Sequence, residues 1–210
     1  MSKLMNSLCG SGMLGLLLLA APGAVHASTV TFNFDTCGNG VSTGSCGAST
    51  TYNVGGYSIV ATAEAPSYWN SLYAKKDGGD ENGLGLTSDP THDDEISGNY
   101  FIQLNISSIL SNDPLTILMD SSTGSDAWKI YESNTSGATS GTVLKTGSSE
   151  GAFTVSPGDT YLDFSATGGN VLLSSLSFST PSPTPEPSSL ALLGTGILGL
   201  AGAARRKFMA

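Results

Sequence analysis

The sequence predicts an all-β protein, an antiparallel β-sandwich of jelly-roll type with a signal peptide at its start and a single transmembrane helix at its end. The composition favours strands and turns, because only 12% of the 210 residues are charged while 27 are glycine. Short stretches that alternate apolar and polar residues recur along the chain. No stretch between residues 28 and 183 shows a sustained helical stripe with caps. We therefore expect one sandwich domain over residues 28–180, a length that buries a single core.

Nine stretches have the pattern of strands, and Gly, Asn, Ser, Asp or Pro separates them. They are residues 30–34, 57–61, 72–74, 100–106, 115–119, 128–131, 153–155, 161–164 and 171–178. One face of each strand is expected to supply the core between two sheets. The apolar residues predicted on that face are Phe32, Phe34, Ile59, Phe101, Leu104, Ile117, Trp128, Ile130, Phe153, Leu162, Phe164, Leu173, Leu176 and Phe178.

The first 27 residues have the features of a secretory signal peptide. Lys3 precedes an apolar run over residues 13–21, and the segment ends in the small residue Ala27. This run is too short to cross about 30 Å of hydrocarbon by itself. We therefore expect export, with signal peptidase cutting between Ala27 and Ser28.

Charge is distributed unevenly along the chain. The net charge is −9, but residues 28–183 hold 16 acidic residues against 4 lysines, a net charge of −12. Binding to nucleic acid requires clustered Lys and Arg that neutralise phosphates. The acidic central region therefore excludes a nucleic-acid partner.

Export also decides how the cysteines are interpreted. Loss of the signal peptide removes Cys9 and leaves Cys37 and Cys46, an even pair in an oxidising compartment. We expect them to form a structural disulfide across a flexible, glycine-rich loop. A metal site is the alternative, but no histidine lies near the two thiols.

The C-terminal segment has three parts in order. Residues 181–188 form a proline-rich linker, which can continue neither a strand nor a helix. Residues 189–204 are an uncharged apolar run, predicted to be a transmembrane helix. The tail over residues 205–210 begins with the basic stop-transfer cluster Arg205, Arg206 and Lys207, which predicts a cytoplasmic C-terminus and a β domain on the outer side.

The same segment resembles a known sorting signal. Pro185, Glu186 and Pro187, followed by the Gly- and Leu-rich run and the basic cluster, resemble the PEP-CTERM signal of Gram-negative exopolysaccharide producers. The resemblance implies recognition and processing by an exosortase, a membrane-embedded cysteine transpeptidase-like enzyme. It also implies that the domain is anchored at the inner membrane, facing the periplasm, until processing frees it for the cell envelope or the extracellular matrix.

An acidic loop follows residue 76 and is the main candidate for ligand binding. Asp77, Asp80, Asn82 and Asp89 supply oxygen atoms of the kind that Ca²⁺ prefers, although their spacing does not match an EF-hand. The alternative is a solvated acidic turn, since like charges at the surface need no metal.

The function classes that remain are mainly non-enzymatic. His92 is the only histidine left after signal removal, so a histidine-based triad or a multi-histidine metal centre has a single candidate. We expect a non-enzymatic surface or extracellular-matrix protein with no required cofactor. The alternative is a polysaccharide-binding module, Ca²⁺-dependent or not, that contacts exopolysaccharide. A glycoside hydrolase ranks third, because the sequence cannot place two carboxylates at the required separation.

Overall fold

The structure is a computed structural model, and it describes residues 27–64, 71–79, 81–87, 93–112, 114–121, 126–137, 141–148, 150–181 and 189–208. Ala27–Ser182 form one compact unit. The C-terminal helix belongs to a separate unit. The predicted signal peptide, apart from Ala27, and the Pro-Glu-Pro tripeptide lie outside the described residues.

Strands dominate the described part of the first unit. They are β1 (Thr29–Asn33), β2 (Gly44–Gly47), β3 (Ser49–Val54), β4 (Tyr57–Glu64), β5 (Leu72–Lys76), β6 (Asn82–Leu86), β7 (Ile96–Ser97), β8 (Phe101–Asn105), β9 (Leu115–Asp120), β10 (Ala127–Ser133), β11 (Thr142–Gly147), β12 (Gly151–Val155), β13 (Tyr161–Gly168) and β14 (Asn170–Ser179). All nine predicted stretches coincide with strands.

The strands form two antiparallel sheets. Sheet A has the order β12-β9-β14-β6-β5-β2, and β1 and β7 also pair with β14. Sheet B has the order β11-β10-β13-β8-β4-β3. Residues of both sheets share one hydrophobic core. The prediction of an antiparallel sandwich is therefore confirmed at the level of two sheets around a common core.

Period-two burial explains how these sequences build the core. In β1 and β9, for example, buried residues alternate with more exposed ones. The ring of Trp128 in sheet B stacks on Phe153 in sheet A at a centroid distance of 4.5 Å.

Two residues predicted to lie in the core are placed differently in the structure. Phe101 is buried but lies outside the shared core, because Ile102 and Leu104 occupy the inward positions of β8. Phe153 is only partly buried, on the edge strand β12.

Strands β1 and β14 join the two ends of the domain. Thr29 pairs with Ser179 in the antiparallel ladder. Beyond the strands, the Thr180 N–H donates to the Ser28 carbonyl oxygen at 2.8 Å. The Ser28 and Thr180 hydroxyls lie 2.7 Å apart. The residue after the predicted signal cleavage is thus bonded to the residue just before the proline-rich linker.

Helix α1 (Ser189–Phe208) covers the predicted apolar run and continues through the basic cluster. Among the described residues, however, no helix combines the length and apolar character required to cross a membrane. The predicted transmembrane span over residues 189–204 is therefore not supported. The physical reason is that Thr195 and four glycines dilute the leucines, and arginines enter before the helix reaches a full spanning length.

Candidate functional site

The sorting residues are described only in part. Pro185, Glu186 and Pro187 lie outside the described residues. Arg205 and Arg206 are exposed near the end of α1, and Lys207 lies in the same helix. Cations at this end complement the partial negative charge of the last helical carbonyls.

The predicted disulfide is confirmed. Cys37 and Cys46 are bonded, with their Cα atoms 5.3 Å apart. Both cysteines are buried and join the core at the start of sheet A. The bridge closes the loop that leads into β2, so it serves as a structural cross-link.

Within that loop, residues 40–44 read Gly-Val-Ser-Thr-Gly, the spacing of a hydrolase nucleophile elbow. Such an elbow places its serine on a sharp turn between a strand and a helix. Here Ser42 is exposed in an irregular loop that leads into a strand. The local structure therefore differs from a nucleophile elbow.

The acidic loop forms the turn of the β5–β6 hairpin. The Asp77 N–H donates to the Glu81 carbonyl oxygen at 3.1 Å. The Asn82 side chain accepts from the Gly78 N–H at 3.2 Å and donates to the Gly79 carbonyl at 2.6 Å. Asn82 is thus used to build the turn itself.

The other two candidate calcium ligands, Asp80 and Asp89, lie outside the described residues. In the part of the chain that the structure describes, no group of three or more His, Cys, Asp or Glu side chains is placed to hold a metal ion. The Ca²⁺ site stays a prediction.

A partly buried ionic cluster lies beside this turn, on the outer face of sheet A. We call it the Lys75 cluster, and its members are Lys75, Glu81, Glu95 and Ser121. The Lys75 ammonium lies 2.6 Å from Glu95 Oε1 and also pairs with the Glu81 carboxylate. The Ser121 hydroxyl lies 2.8 Å from Glu95 Oε2 and 3.1 Å from Glu81 Oε1. One cation and one hydroxyl thus bridge two carboxylates.

The fold brings these distant residues together through a close backbone approach. Gly85 lies opposite Tyr73 in the β5–β6 pair, and a Cβ atom on it would be 2.0 Å from the Asp94 carbonyl oxygen. Only glycine lets the segment before β7 lie directly on the sheet. Ser121 follows β9 in a left-handed conformation, with φ at 55°. These two features place Glu95, which is 3% exposed, against Lys75.

The two glutamates of the Lys75 cluster have pKa values shifted in opposite directions. Burial raises the pKa of Glu95, and the hydrogen bonds from Lys75 and Ser121 only partly offset this effect. The hydrogen bond from Lys75 lowers the pKa of Glu81. Burial alone would lower the pKa of Lys75, but the hydrogen bonds and charges of the two glutamates raise it overall. Lys75 is therefore charged at neutral pH.

A cleft of about 470 Å³ opens next to the Lys75 cluster, and Asp93, Asp126 and Asn170 also line it. The Asn170 amide donates to Asp93 Oδ2 at 2.9 Å. Four carboxylates against one ammonium leave the lining with negative charge, which disfavours anionic ligands. Glu81 and Glu95 are both bonded within the cluster, so the arrangement primarily fixes structure.

A second polar site, on the outer face of sheet B, has no counterpart in the sequence predictions. Gln103 Nε2 donates to Asp163 Oδ1 at 2.8 Å, and Gln103 Oε1 accepts from the Gly137 N–H at 3.0 Å. Asp163 is fully buried, and its Oδ2 atom has no hydrogen-bond partner among the described residues. Burial, with a smaller contribution from the charge of Glu64, raises the pKa of Asp163 to about 6, and the hydrogen bond from Gln103 partly opposes this rise.

Comparison with known proteins identifies the C-terminal segment. Residues 183–207 match the PEP-CTERM protein-sorting motif. No curated protein and no solved structure matches the chain. The match indicates export and a membrane-associated sorting signal, with an exosortase as the implied processing partner. The resemblance noted in the sequence is thereby confirmed: the chain carries a PEP-CTERM protein-sorting motif over residues 183–207.

Proposed function

We propose that the protein is an exported, non-enzymatic component of the cell surface or extracellular matrix, and that an exosortase recognises and processes its C-terminal segment. The observation that carries the proposal is the sorting motif over residues 183–207, which begins directly after the β unit Ala27–Ser182. In this proposal the passenger is a jelly-roll-like sandwich held at the inner membrane, with its domain in the periplasm, until processing near residues 185–187.

The arrangement of the β unit supports this order of events. Its last strand ends at Ser179, and Thr180 is bonded to Ser28. A cut in the proline-rich linker therefore falls beyond the strand hydrogen bonds, and it leaves the sandwich closed. An extended proline-rich segment also suits a protease cleft better than a strand that is already paired.

The test uses the full chain in a host with an active exosortase. Glu186→Ala is expected to leave the protein unprocessed and membrane-retained, while wild type gives a shorter released form. Glu150→Ala, which changes an exposed glutamate just before β12, is the matched control and should be processed normally. Normal processing of the Glu186 variant would overturn the proposal.

A second candidate function is a polysaccharide-binding module delivered by the same route. The observation that favours it is an open hollow with an aromatic ring and neutral polar groups on the outer face of sheet B.

Dependence on Ca²⁺ is a separate prediction for Asp77, Asp80, Asn82 and Asp89. Calorimetric titration at millimolar Ca²⁺ tests it, and absence of binding heat would remove the metal from the proposal.

A further inference from the structure

The outer face of sheet B carries a hollow of about 610 Å³, where strands β10 and β13 meet the turn before β8 and the β13–β14 corner. Tyr131 of β10 and Ser165 and Thr167 of β13 form its strand side, and Asn99 lies in the turn before β8. Glycines at the β13–β14 corner complete the rim. This volume lies within the range of small-ligand sites, about 300–1,000 Å³.

The strand register shows that Tyr131 and Ser165 point away from the core. Tyr131 pairs with Asp163, and Ser165 pairs with Lys129. The neighbours that alternate with them, Ile130 and Phe164, are fully buried in the shared core. Tyr131 and Ser165 are themselves only half-buried, so a ligand can reach both side chains.

The chemistry of the lining selects a neutral, hydroxyl-rich ligand. Among the residues that the structure describes, those lining the hollow carry no charge. Asn99, Ser165 and Thr167 supply both donors and acceptors. Tyr131 supplies an aromatic ring with a polar tip, a side chain that packs apolar C–H groups while its hydroxyl stays wet. A pyranose ring has this combination, an apolar face of C–H groups and a rim of hydroxyls.

The net negative charge of the domain makes a neutral polymer a more favourable ligand than an anionic one. Residues 28–183 carry a net charge of −12, which disfavours the approach of uronic-acid or sulfated polymers. The cleft beside the Lys75 cluster is lined with carboxylates and offers no comparable neutral surface. We propose that the Tyr131 hollow binds a neutral sugar unit of a polysaccharide. This inference deepens the second candidate function and rests on it.

The test is affinity electrophoresis of the full chain in gels that contain dextran, galactomannan or hydroxyethyl cellulose, with alginate as the anionic comparison. We expect at least one neutral polymer to retard the wild-type chain and alginate to leave it unaffected. Tyr131→Ala should weaken binding about tenfold or more, while Tyr131→Phe, which keeps the ring, should retain it. Tyr161→Ala is the matched control, since Tyr161 lies on the same sheet face but outside the hollow.

A second variant tests the hollow independently, in case Tyr131→Ala fails to fold. Thr167 is exposed, so Thr167→Trp fills the hollow from the solvent side and should also abolish retardation. Equal retardation by alginate, no retardation by any neutral polymer, or unchanged binding of both variants would overturn the inference. Processing at the sorting motif is measured in the same strains. Wild type that is retarded by a neutral polymer, with both variants retarded equally, would refute the hollow and leave the binding-module function standing. Wild type that no neutral polymer retards would refute both, and unprocessed chain that still binds sugar would refute the sorting proposal alone.

Discussion

The outer faces of the two sheets each bury one carboxylate, and they compensate for it in opposite ways. On sheet A, Glu95 is 3% exposed and pairs with the Lys75 ammonium at 2.6 Å. On sheet B, Asp163 is 0% exposed and its bonded partner is the neutral amide of Gln103. No described residue forms an ion pair with Asp163, including Lys129 on the neighbouring strand.

The comparison teaches that the same burial has different consequences on the two faces, depending on the partner of the carboxylate. Burial raises the pKa of both Glu95 and Asp163. Near Lys75 the buried carboxylate lies against a cation, which offsets part of that rise. Near Gln103 the carboxylate is matched by an amide alone, so the protonated form is favoured below about pH 6. The outer face of sheet A thus buries its carboxylate beside a cation, and the outer face of sheet B buries a carboxylate whose pKa is about 6.

The largest expected effect comes from removing the cation of sheet A. Lys75→Met leaves Glu95 buried and unpaired, which should lower the free energy of unfolding by about 3–5 kcal/mol. Urea unfolding followed by circular dichroism measures the change. Lys76→Met is the matched control, because Lys76 is half-exposed and pairs with Asp35 at the surface, where a pair contributes about 0–1 kcal/mol. Equal losses in the two variants would contradict the role given to the Lys75 cluster.

The second-largest loss of stability is expected from removing the disulfide, which in the described structure is found only at sheet A. Replacing Cys37 and Cys46 together by serine opens a loop with a sequence separation of 9. Because that loop is short, the free energy of unfolding should fall by roughly 2.5 kcal/mol. Thermal unfolding of the variant is compared with wild type before and after reduction. A reductant should lower the melting temperature of wild type alone, and an effect on both proteins would point elsewhere.

A smaller effect tests the titrating group of sheet B. The pKa of Asp163 rises from 3.8 to about 6 on folding, so the folded state binds the proton more tightly. Its contribution therefore favours folding below about pH 4 and is lost as the pH rises through 6. Asp163→Asn should remove this dependence and gain about 2 kcal/mol relative to wild type between pH 4 and pH 7. Urea unfolding across this range measures the difference, and a constant difference would refute the assignment.

The smallest effect separates burial from neighbouring charge at Asp163. Burial is the main cause of its raised pKa, and the charge of Glu64 adds to it. Glu64→Gln should therefore move the titration midpoint of Asp163 to lower pH by less than about one pH unit. Carboxyl chemical shifts followed by NMR against pH report the midpoint directly. Glu150→Gln, at an exposed site, should leave it in place.

The sandwich was predictable because its main strands alternate clearly between apolar and polar residues. The sequence did not indicate β2, β3, β6, β7 and β11, and of these β3 alternates in burial but is built mainly from polar residues. β2 and β6 are rich in glycine, and β7 is two residues long. Their positions depend on pairing with other strands and on close backbone approaches, such as that at Gly85, which a local pattern does not contain.

The sites show the same division between local and long-range information. The disulfide and the sorting motif depend on residue types at short spacing, and the sequence predicted both. The Lys75 cluster joins residues from the β5–β6 hairpin, the segment before β7 and the end of β9, so no single window contains it. Asp163 did leave a signal, an acid inside the apolar run of residues 161–164, which is uncommon unless the side chain has a buried partner.

The hydrogen bonds between Ser28 and Thr180 have a further consequence for how the domain can be rewired. Since the two backbones meet at 2.8 Å, a linker of a few residues could connect them directly. New termini could then be opened in an exposed turn, such as residues 55–56 between β3 and β4. Such a circular permutant would keep every strand pairing while losing both flanking segments, so its unfolding would report on the stability of the sandwich alone.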